Sequence, residues 1–280
     1  MKKILLPTDF SDNSWNAIKY ALQLYKDQEC NFMLLHTFIP VIYQFEYIQS
    51  STLQFQMMDI LKETSKKGLD ELQQKISSEF YNPKHRVSQI TSFNTLTAEI
   101  DELFQGNAID MIIMGTKGAS GAKGILFGSN TVHVLKNAKC PVLAIPSDFS
   151  FETPHEILFP TDYEIEYKEE HLKPIIEIAQ EHTSRVNILH VFTRNGLTTT
   201  QEKNKLLLET SMKKIAHLIH DVNNQKVPEA ITNFQIKTKI NLLVMINNKH
   251  SFFENLFFKS TINQIGFHLN IPLLVIPSRK

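Results

Sequence analysis

The residues best suited to chemistry in this chain are glycines that follow an apolar run at residues 111–114. Five of the nine glycines fall within fourteen residues, and the pattern reads Gly115-x2-Gly118-x9-Gly128-Ser129-Asn130-Thr131. Glycine leaves the backbone N–H groups bare, and a turn from a strand into a helix presents such groups to an anion, above all to phosphate. The spacing therefore predicts a phosphate-binding loop. The alternative is a glycine-rich loop that binds nothing.

A second polar motif, Pro7-Thr8-Asp9, follows the first apolar run of the chain. In a parallel α/β sheet, ligands bind beyond the carboxyl ends of the strands. We therefore expect Asp9 and the glycine loop to face one cleft, with Lys117 and Lys123 supplying positive charge. Asp9 also suits an Asx turn or a cap for the helix after Ser11, and the two roles are compatible.

Apolar runs and helical stripes alternate along the chain, which predicts a parallel sheet covered by helices. In the first half, the predicted strands cover residues 4–7, 31–38, 86–92, 111–114 and 142–145, and the predicted helices cover 14–25, 52–79, 98–104 and 132–136. In the second half, the predicted strands cover residues 156–159, 187–192, 216–221, 242–246 and 273–276, and the predicted helices cover 171–182 and 202–215.

The chain contains a long internal repeat. Residues 3–10 reappear as residues 156–163, and residues 114–147 match residues 245–278 without a gap. Matching blocks in one order indicate two tandem domains, which we place at 1–148 and 155–280. The closing strand of each copy is short, apolar and bracketed by prolines, so we expect the two to pair inside the chain as an intramolecular pseudo-dimer. A further homodimer is left open.

Composition excludes several classes of protein. Basic and acidic residues number 29 each, so no overall field favours nucleic acid or an anionic membrane. No apolar run reaches the length of a membrane span, and the start of the chain lacks a secretory signal, so we expect a cytoplasmic protein. Cys30 and Cys140 are expected to be buried free thiols. His36 and His190 lack metal-ligand spacing and are interpreted as hydrogen-bonded core edges.

The chain resembles the universal stress protein family, and the resemblance covers both halves. The resemblance rests on Pro7-Thr8-Asp9-Phe10-Ser11, Leu34-Leu35-His36, the glycine pattern that begins at Met114, and Pro141-Val142-Leu143-Ala144-Ile145-Pro146. It implies two tandem, parallel, five-stranded α/β sandwich domains that are Rossmann-like and of the adenine nucleotide alpha hydrolase-like type. It also implies a cytoplasmic stress-response or signalling protein that binds ATP or AMP, with the involvement of Mg²⁺ left open.

The resemblance further implies which residues meet the nucleotide. Thr8 and Asp9 would meet the adenosine, Thr37 would frame the adenine, and the glycine loop with the start of the next helix would hold the phosphates. The implied nucleotide-binding residues are Pro7, Thr8, Asp9, Thr37, Met114, Gly115, Gly118, Gly128, Ser129, Asn130 and Thr131.

The second copy departs from this pattern. Gly115, Gly118 and Gly128 become Ile246, Lys249 and Lys259, and the run Phe252–Phe258 replaces the small residues of the loop. We therefore expect the second copy to be a pseudo-domain that does not bind ATP. The aromatic run is either filling for the vacated pocket or a contact patch for a partner.

Three functions remain in competition at this stage. The first is the nucleotide-binding protein with an unidentified protein partner. The second is a slow ATP hydrolase, although Asp9 is the one carboxylate placed near the phosphates and no Gly-Lys-Ser/Thr P-loop occurs, so at most a weak ATPase is expected. The third is a nucleotide-free interaction scaffold that uses the Phe252–Phe258 run.

Overall fold

The computed structural model describes residues 1–39, 51–117, 127–192, 196–223, 225–247 and 270–278, without the side chains of 51–55. By internal contacts the chain divides into two compact units, Met1–Cys140 and Pro141–Lys280. The predicted domains at 1–148 and 155–280 follow the sequence repeat and stay a prediction.

The first unit is built on four parallel strands. The strands are β1 (Lys2–Pro7), β2 (Cys30–Thr37), β3 (His85–Ser92) and β4 (Met111–Gly115), and the helices are α1 (Asp12–Leu24), α2 (Ser51–Glu79), α3 (Leu96–Gln105) and α4 (Ser129–Asn137). The strand order is β3-β2-β1-β4, so the order reverses at β1. Such a reversal opens a crevice between the neighbouring strands β1 and β4, beyond their carboxyl ends.

Continuous apolar runs explain why β1 and β4 lie at the centre of this unit. Ile4, Leu5 and Leu6 are fully buried, and every residue of β4 is buried. A strand that is buried on both faces needs an unbroken apolar run and not an alternating one. Directly after the carboxyl ends of these apolar runs the chain turns polar, at Thr8 and Thr116.

The second unit contains six strands. The strands are β5 (Val142–Ile145), β6 (Glu156–Pro160), β7 (Arg185–Phe192), β8 (Ala216–Asn223), β9 (Leu242–Asn247) and β10 (Leu273–Pro277), and the helices are α5 (Glu169–Glu181), α6 (Thr199–Met212) and α7 (Val227–Thr238). The order is β5-β10-β9-β6-β7-β8. All pairs are parallel except β5 with β10, which run antiparallel with Leu143 opposite Leu274. The closing strands of the two repeats thus pair, as the sequence predicts.

The predicted α/β class is confirmed, with five strands contributed by each repeat. Helix α7 is the one described helix that the sequence reading missed. It buries Ala230 and Ile231 but leaves Ile236 exposed, so its apolar stripe is weak. Pro228 near its start was the available signal, because proline favours the first turn of a helix. Cys30 and Cys140 are buried free thiols, as predicted.

Candidate functional site

A cavity of about 360 Å³ lies in the first unit, beyond the carboxyl ends of β1, β2 and β4. Its volume falls within the range of small-molecule sites. The lining residues are Pro7, Thr8, Asp9, Asn13, Ser14, Leu35, His36, Thr37, Leu96, Met114, Gly115, Lys117, Gly128, Ser129, Asn130 and Thr131. The fold therefore brings together every predicted binding residue except Gly118, which lies outside the described residues.

Thr8 holds the turn that follows β1. Its Oγ1 accepts a hydrogen bond from the Phe10 backbone N–H at 3.0 Å and lies 3.0 Å from Ser14 Oγ. Thr8 and Ser14 are both buried. The Thr8 hydroxyl is thus hydrogen-bonded within the protein, and these bonds fix the direction in which the chain enters α1.

Asp9 combines a structural and a site position. One of its carboxylate oxygens accepts hydrogen bonds from the Ser11 backbone N–H at 3.1 Å and from Ser11 Oγ at 2.5 Å. Ser11 is in turn the N-cap of α1. The Asx-turn interpretation is confirmed, and the same exposed side chain lines the cavity. The turn holds the carboxylate in place at the rim.

Phe10 adopts a left-handed backbone conformation, with φ of 62°, which is unusual for a bulky residue. Its ring lies 4.5 Å from the His36 ring and stacks over Gly68 of α2, where a Cβ would come within 2.6 Å of Phe10 Cζ. The hydrogen bond from Phe10 N–H to Thr8 completes this support. The turn after β1 is therefore held by contacts from two other elements.

His36 provides an uncharged wall of the cavity. Its Nδ1 lies 2.8 Å from the hydroxyl of Ser65, which is fully buried. Burial lowers the pKa of His36, and the Asp9 carboxylate only partly opposes this effect. His190, its counterpart in the second repeat, has its Nδ1 2.8 Å from the Thr161 carbonyl. The interpretation of both histidines as hydrogen-bonded core edges is confirmed.

The glycine at the end of β4 lies directly beneath a neighbouring side chain. A Cβ on Gly115 would lie 2.7 Å from Asn13 Cγ and 2.9 Å from Asn13 Oδ1. The Asn13 amide passes across Gly115 and donates a hydrogen bond to the Lys117 carbonyl. The sequence reading assigned Gly115 to a sharp turn and to the floor of the site. The structure adds the close approach of Asn13 as the reason for a glycine.

The start of α4 faces the cavity without a side-chain cap. Gly128 is the N-cap residue and, as a glycine, offers no side chain to cap the helix, while its own N–H donates to the Thr116 carbonyl at 2.7 Å. The first N–H groups of a helix have no partner within it, and the helix dipole makes this end attractive to anions. Ser129 and Asn130 are exposed there, with Lys117 also on the lining. This arrangement can bind a phosphate.

Thr131 joins this helix start to the central strand. Its hydroxyl donates a hydrogen bond to the Gly115 carbonyl at 2.9 Å, and the residue is 2% exposed. Because the bond links the first turn of α4 to the last residue of β4, it sets the distance between these two sides of the cavity.

The second repeat differs at the matching position. Four residues separate β1 from α1, whereas eight, residues 161–168, separate β6 from α5. Tyr167 comes from this longer connection, is buried, and hydrogen-bonds Thr161 through its hydroxyl. Where the small Ser14 meets Thr8 in the first repeat, a full aromatic side chain meets Thr161 in the second.

Several residues that line the cavity were not predicted from the sequence. Asn13, Ser14, Leu35 and Leu96 line the cavity but were not predicted. Asn13 and Ser14 lie in the first turn of α1, a few residues after the predicted Asp9. Their closeness in sequence to the Pro7-Thr8-Asp9 motif could have indicated that they line the cavity. Tyr167 was also not predicted. The sequence placed the obstruction of the second repeat at Ile246, Lys249, Lys259 and Phe252–Phe258; of these, Ile246 lies at the buried end of β9 and the others lie outside the described residues.

Two features are absent from the described part of the chain. There, no group of three or more His, Cys, Asp or Glu side chains is placed to hold a metal ion. Among the helices described, none is both long and apolar enough to cross a membrane.

Comparison with known proteins gives consistent results. The family model described as "Universal stress protein family" matches residues 1–146. Universal stress protein MJ0531 of Methanocaldococcus jannaschii is 30% identical over 144 residues, which cover 51% of this chain and 81% of that relative. Universal stress protein MJ0577 of the same organism is 28% identical over 158 residues, covering 51% and 94%.

A solved structure extends the likeness to both repeats. The crystal structure of a universal stress protein from Archaeoglobus fulgidus has a TM-score of 0.70 at 19% identity, covering 98% of this chain and 96% of that chain. At this level of identity the likeness shows the fold. The family match over more than half of the chain goes further: this chain belongs to the universal stress protein family.

Proposed function

We propose that the first repeat binds an adenine nucleotide, ATP or AMP, in the cavity beyond β1, β2 and β4, and that the protein uses this binding in stress response or signalling. The observation that carries the proposal is the N-terminus of α4, which has a glycine without a capping side chain as its N-cap and faces the same cavity as Asp9 and His36. Without a ligand, these N–H groups have no partner within the helix.

The phosphates would lie against the start of α4. Backbone N–H groups of Ser129 and Asn130, the dipole of the helix and the Lys117 ammonium group all favour negative charge there. The spacing Gly115-x2-Gly118-x9-Gly128 agrees with this position. Asp9 alone among the described lining residues carries a carboxylate, and it would be the neighbour of a Mg²⁺ ion that accompanies ATP.

The nucleoside would lie towards β2 and α3. There the lining consists of Leu35, uncharged His36, Thr37 and Leu96, which suits a flat and partly apolar base. This end of the cavity differs in polarity from the α4 end. A ligand with one aromatic and one anionic part fits that difference better than inorganic phosphate does.

We propose that the second repeat does not bind nucleotide in this way. Tyr167 occupies the position next to Thr161, and Ile246 stands where the first repeat has Gly115. A buried aromatic ring and a β-branched side chain remove the space that a backbone cradle requires. The second repeat would then act through pairing of β5 with β10 and through an unidentified protein partner.

The proposal is one of binding and not of turnover. Asp9 accepts two hydrogen bonds from Ser11, which ties its carboxylate to the helix cap and leaves it poorly placed as a base. A slow ATPase and a nucleotide-free scaffold remain the competing functions, and no described contact favours either. A cytoplasmic location, as expected from the sequence, belongs to this proposal.

Calorimetric titration with ATP and AMP, with and without Mg²⁺, tests the proposal directly. Ser129 is the first residue of α4, where proline fits the helix but lacks the N–H group. We expect Ser129→Pro to preserve folding and to weaken ATP binding by roughly ten- to a hundredfold, the effect of losing one hydrogen bond to a charged group.

Thr199→Pro is the matched control, since Thr199 is the first residue of α6 in the second unit. It removes an equivalent N–H far along the chain from the cavity residues and should leave affinity unchanged. Wild-type protein that gives no heat and no change in melting temperature with either nucleotide would refute the proposed function. Equal affinity of Ser129→Pro and wild type would refute the assignment of α4.

A further inference from the structure

Asn13 makes a contact that joins the two motifs of the site. Its side-chain amide donates a hydrogen bond to the Lys117 carbonyl, 104 residues further along the chain. Lys117 is the residue directly before Gly118, so this carbonyl marks the point where the chain leaves β4 for the glycine-rich segment. A single side chain on α1 thus holds the entry to that segment.

The contact depends on glycine at position 115. The Asn13 amide lies so close to Gly115 that a Cβ there would come within 2.7 Å of Asn13 Cγ. A Cβ at this position would push the amide aside and so disturb its hydrogen bond to the Lys117 carbonyl. Asn13 Oδ1 is buried and accepts no hydrogen bond within the described structure, so the amide has no alternative tie that would hold it in place.

The second repeat lacks both residues on which this contact depends, the asparagine and the glycine. Ile246 stands in the place of Gly115. The equivalent of Asn13 is Glu166 when counted from the Thr-Asp motif, and Glu170 when counted from the N-cap of α5. Either count gives a glutamate, which has no N–H to donate. The asparagine and the glycine are therefore both present in one repeat and both absent from the other.

We propose that Asn13 is a positioning residue that sets nucleotide affinity through the Lys117 carbonyl, and that Gly115 is required to make room for it. This inference rests on the proposed function. Asn13 holds the backbone of Lys117, a residue that lines the cavity, against the end of β4. The nucleotide would then meet this part of the lining already in place, which avoids the cost of ordering it.

A double-mutant cycle tests the inference. Asn13→Ala removes the amide, and Gly115→Ala displaces it, so each single variant breaks the same contact. We expect each to weaken ATP binding by roughly tenfold, the effect of one backbone-fixing hydrogen bond. The double variant should then bind no more weakly than the weaker of the two single variants, because the contact can be lost only once.

Two further variants complete the design. Asn13→Asp keeps the shape but lacks the donor, and should lose affinity as Asn13→Ala does. Gly106→Ala is the matched control, because a Cβ there would lie no closer than 3.6 Å to its neighbours, and it should bind as wild type does. All titrations are made well below each variant's own melting temperature, so that a merely less stable protein does not register as weaker binding.

The outcomes separate the two proposals. Wild-type affinity in Asn13→Asp, or losses in the double variant that multiply to roughly a hundredfold, would overturn the role of Asn13 and leave nucleotide binding standing. If wild type binds no nucleotide, the proposed function fails. The same double-mutant cycle, measured by urea unfolding without ligand, then tests the Asn13–Gly115 contact by itself. Changes in unfolding midpoint that are additive in the double variant would show that the two residues do not depend on each other.

Discussion

The hydrogen bond from Thr131 to the Gly115 carbonyl offers a quantitative test of how the site is held. Thr131→Val keeps the shape of the side chain but removes the donor, in a residue that is 2% exposed. The Gly115 carbonyl would then lie in the interior without this partner. An unsatisfied buried acceptor costs about 1–3 kcal/mol, so we expect the free energy of unfolding of the first unit to fall by that amount.

The chain supplies a matched control for this substitution. The Thr64 hydroxyl donates to the Ile60 carbonyl at 2.8 Å, but on an exposed part of α2. Water replaces the lost partner there, so Thr64→Val should change the free energy of unfolding by less than about 0.5 kcal/mol. Both variants lose one hydroxyl-to-carbonyl bond, but the Thr64 bond is exposed and lies within one helix, whereas the Thr131 bond is buried and joins α4 to β4.

Thermal and urea unfolding measure the difference. For a unit of this size, a loss of about 2 kcal/mol corresponds to roughly 4–8 °C in melting temperature. Thr131→Ser retains the donor and should recover part of the loss. If Thr131→Val unfolds like Thr64→Val, the bond does not tie α4 to β4, and the argument that it sets the distance between these two sides of the cavity is wrong.

Two further predictions concern Tyr167 and His36. Tyr167 is buried against Phe159, so Tyr167→Ser should destabilise the second unit by about 3–5 kcal/mol, whereas Tyr167→Phe should cost much less; equal unfolding midpoints for the two variants would contradict the packing argument. Burial lowers the pKa of His36 below 6.5, so its contribution to stability is present above pH 6.5 and is lost as the pH falls through the folded-state pKa. Urea unfolding at a series of pH values should therefore show a shallower decline below pH 6.5 for His36→Asn than for wild type, and parallel curves would refute this assignment.

The sequence alone determined the order of the described elements apart from α7, and it predicted the edge of the sheet where the candidate site lies. Unbroken apolar runs identify β1 and β4 as central strands, and polar residues directly after them mark the edge where ligands bind. These signals are local, because the period of a strand or a helix is written in neighbouring residues. The internal repeat likewise needed nothing beyond comparison of the chain with itself.

Only the tertiary structure decided which side chains hold the site together. Asn13 meets Lys117 across 104 residues, and Thr131 meets Gly115 across 16. Tyr167 is buried in the second repeat, and it comes from a connection between β6 and α5 that is longer than the matching connection in the first repeat. Such contacts depend on how separate elements approach one another in three dimensions, and periodicity along the chain carries no record of that approach. The sequence could therefore predict that Gly115 lies at a turn on the floor of the site, while its close approach to Asn13 is visible only when α1 is packed against β4.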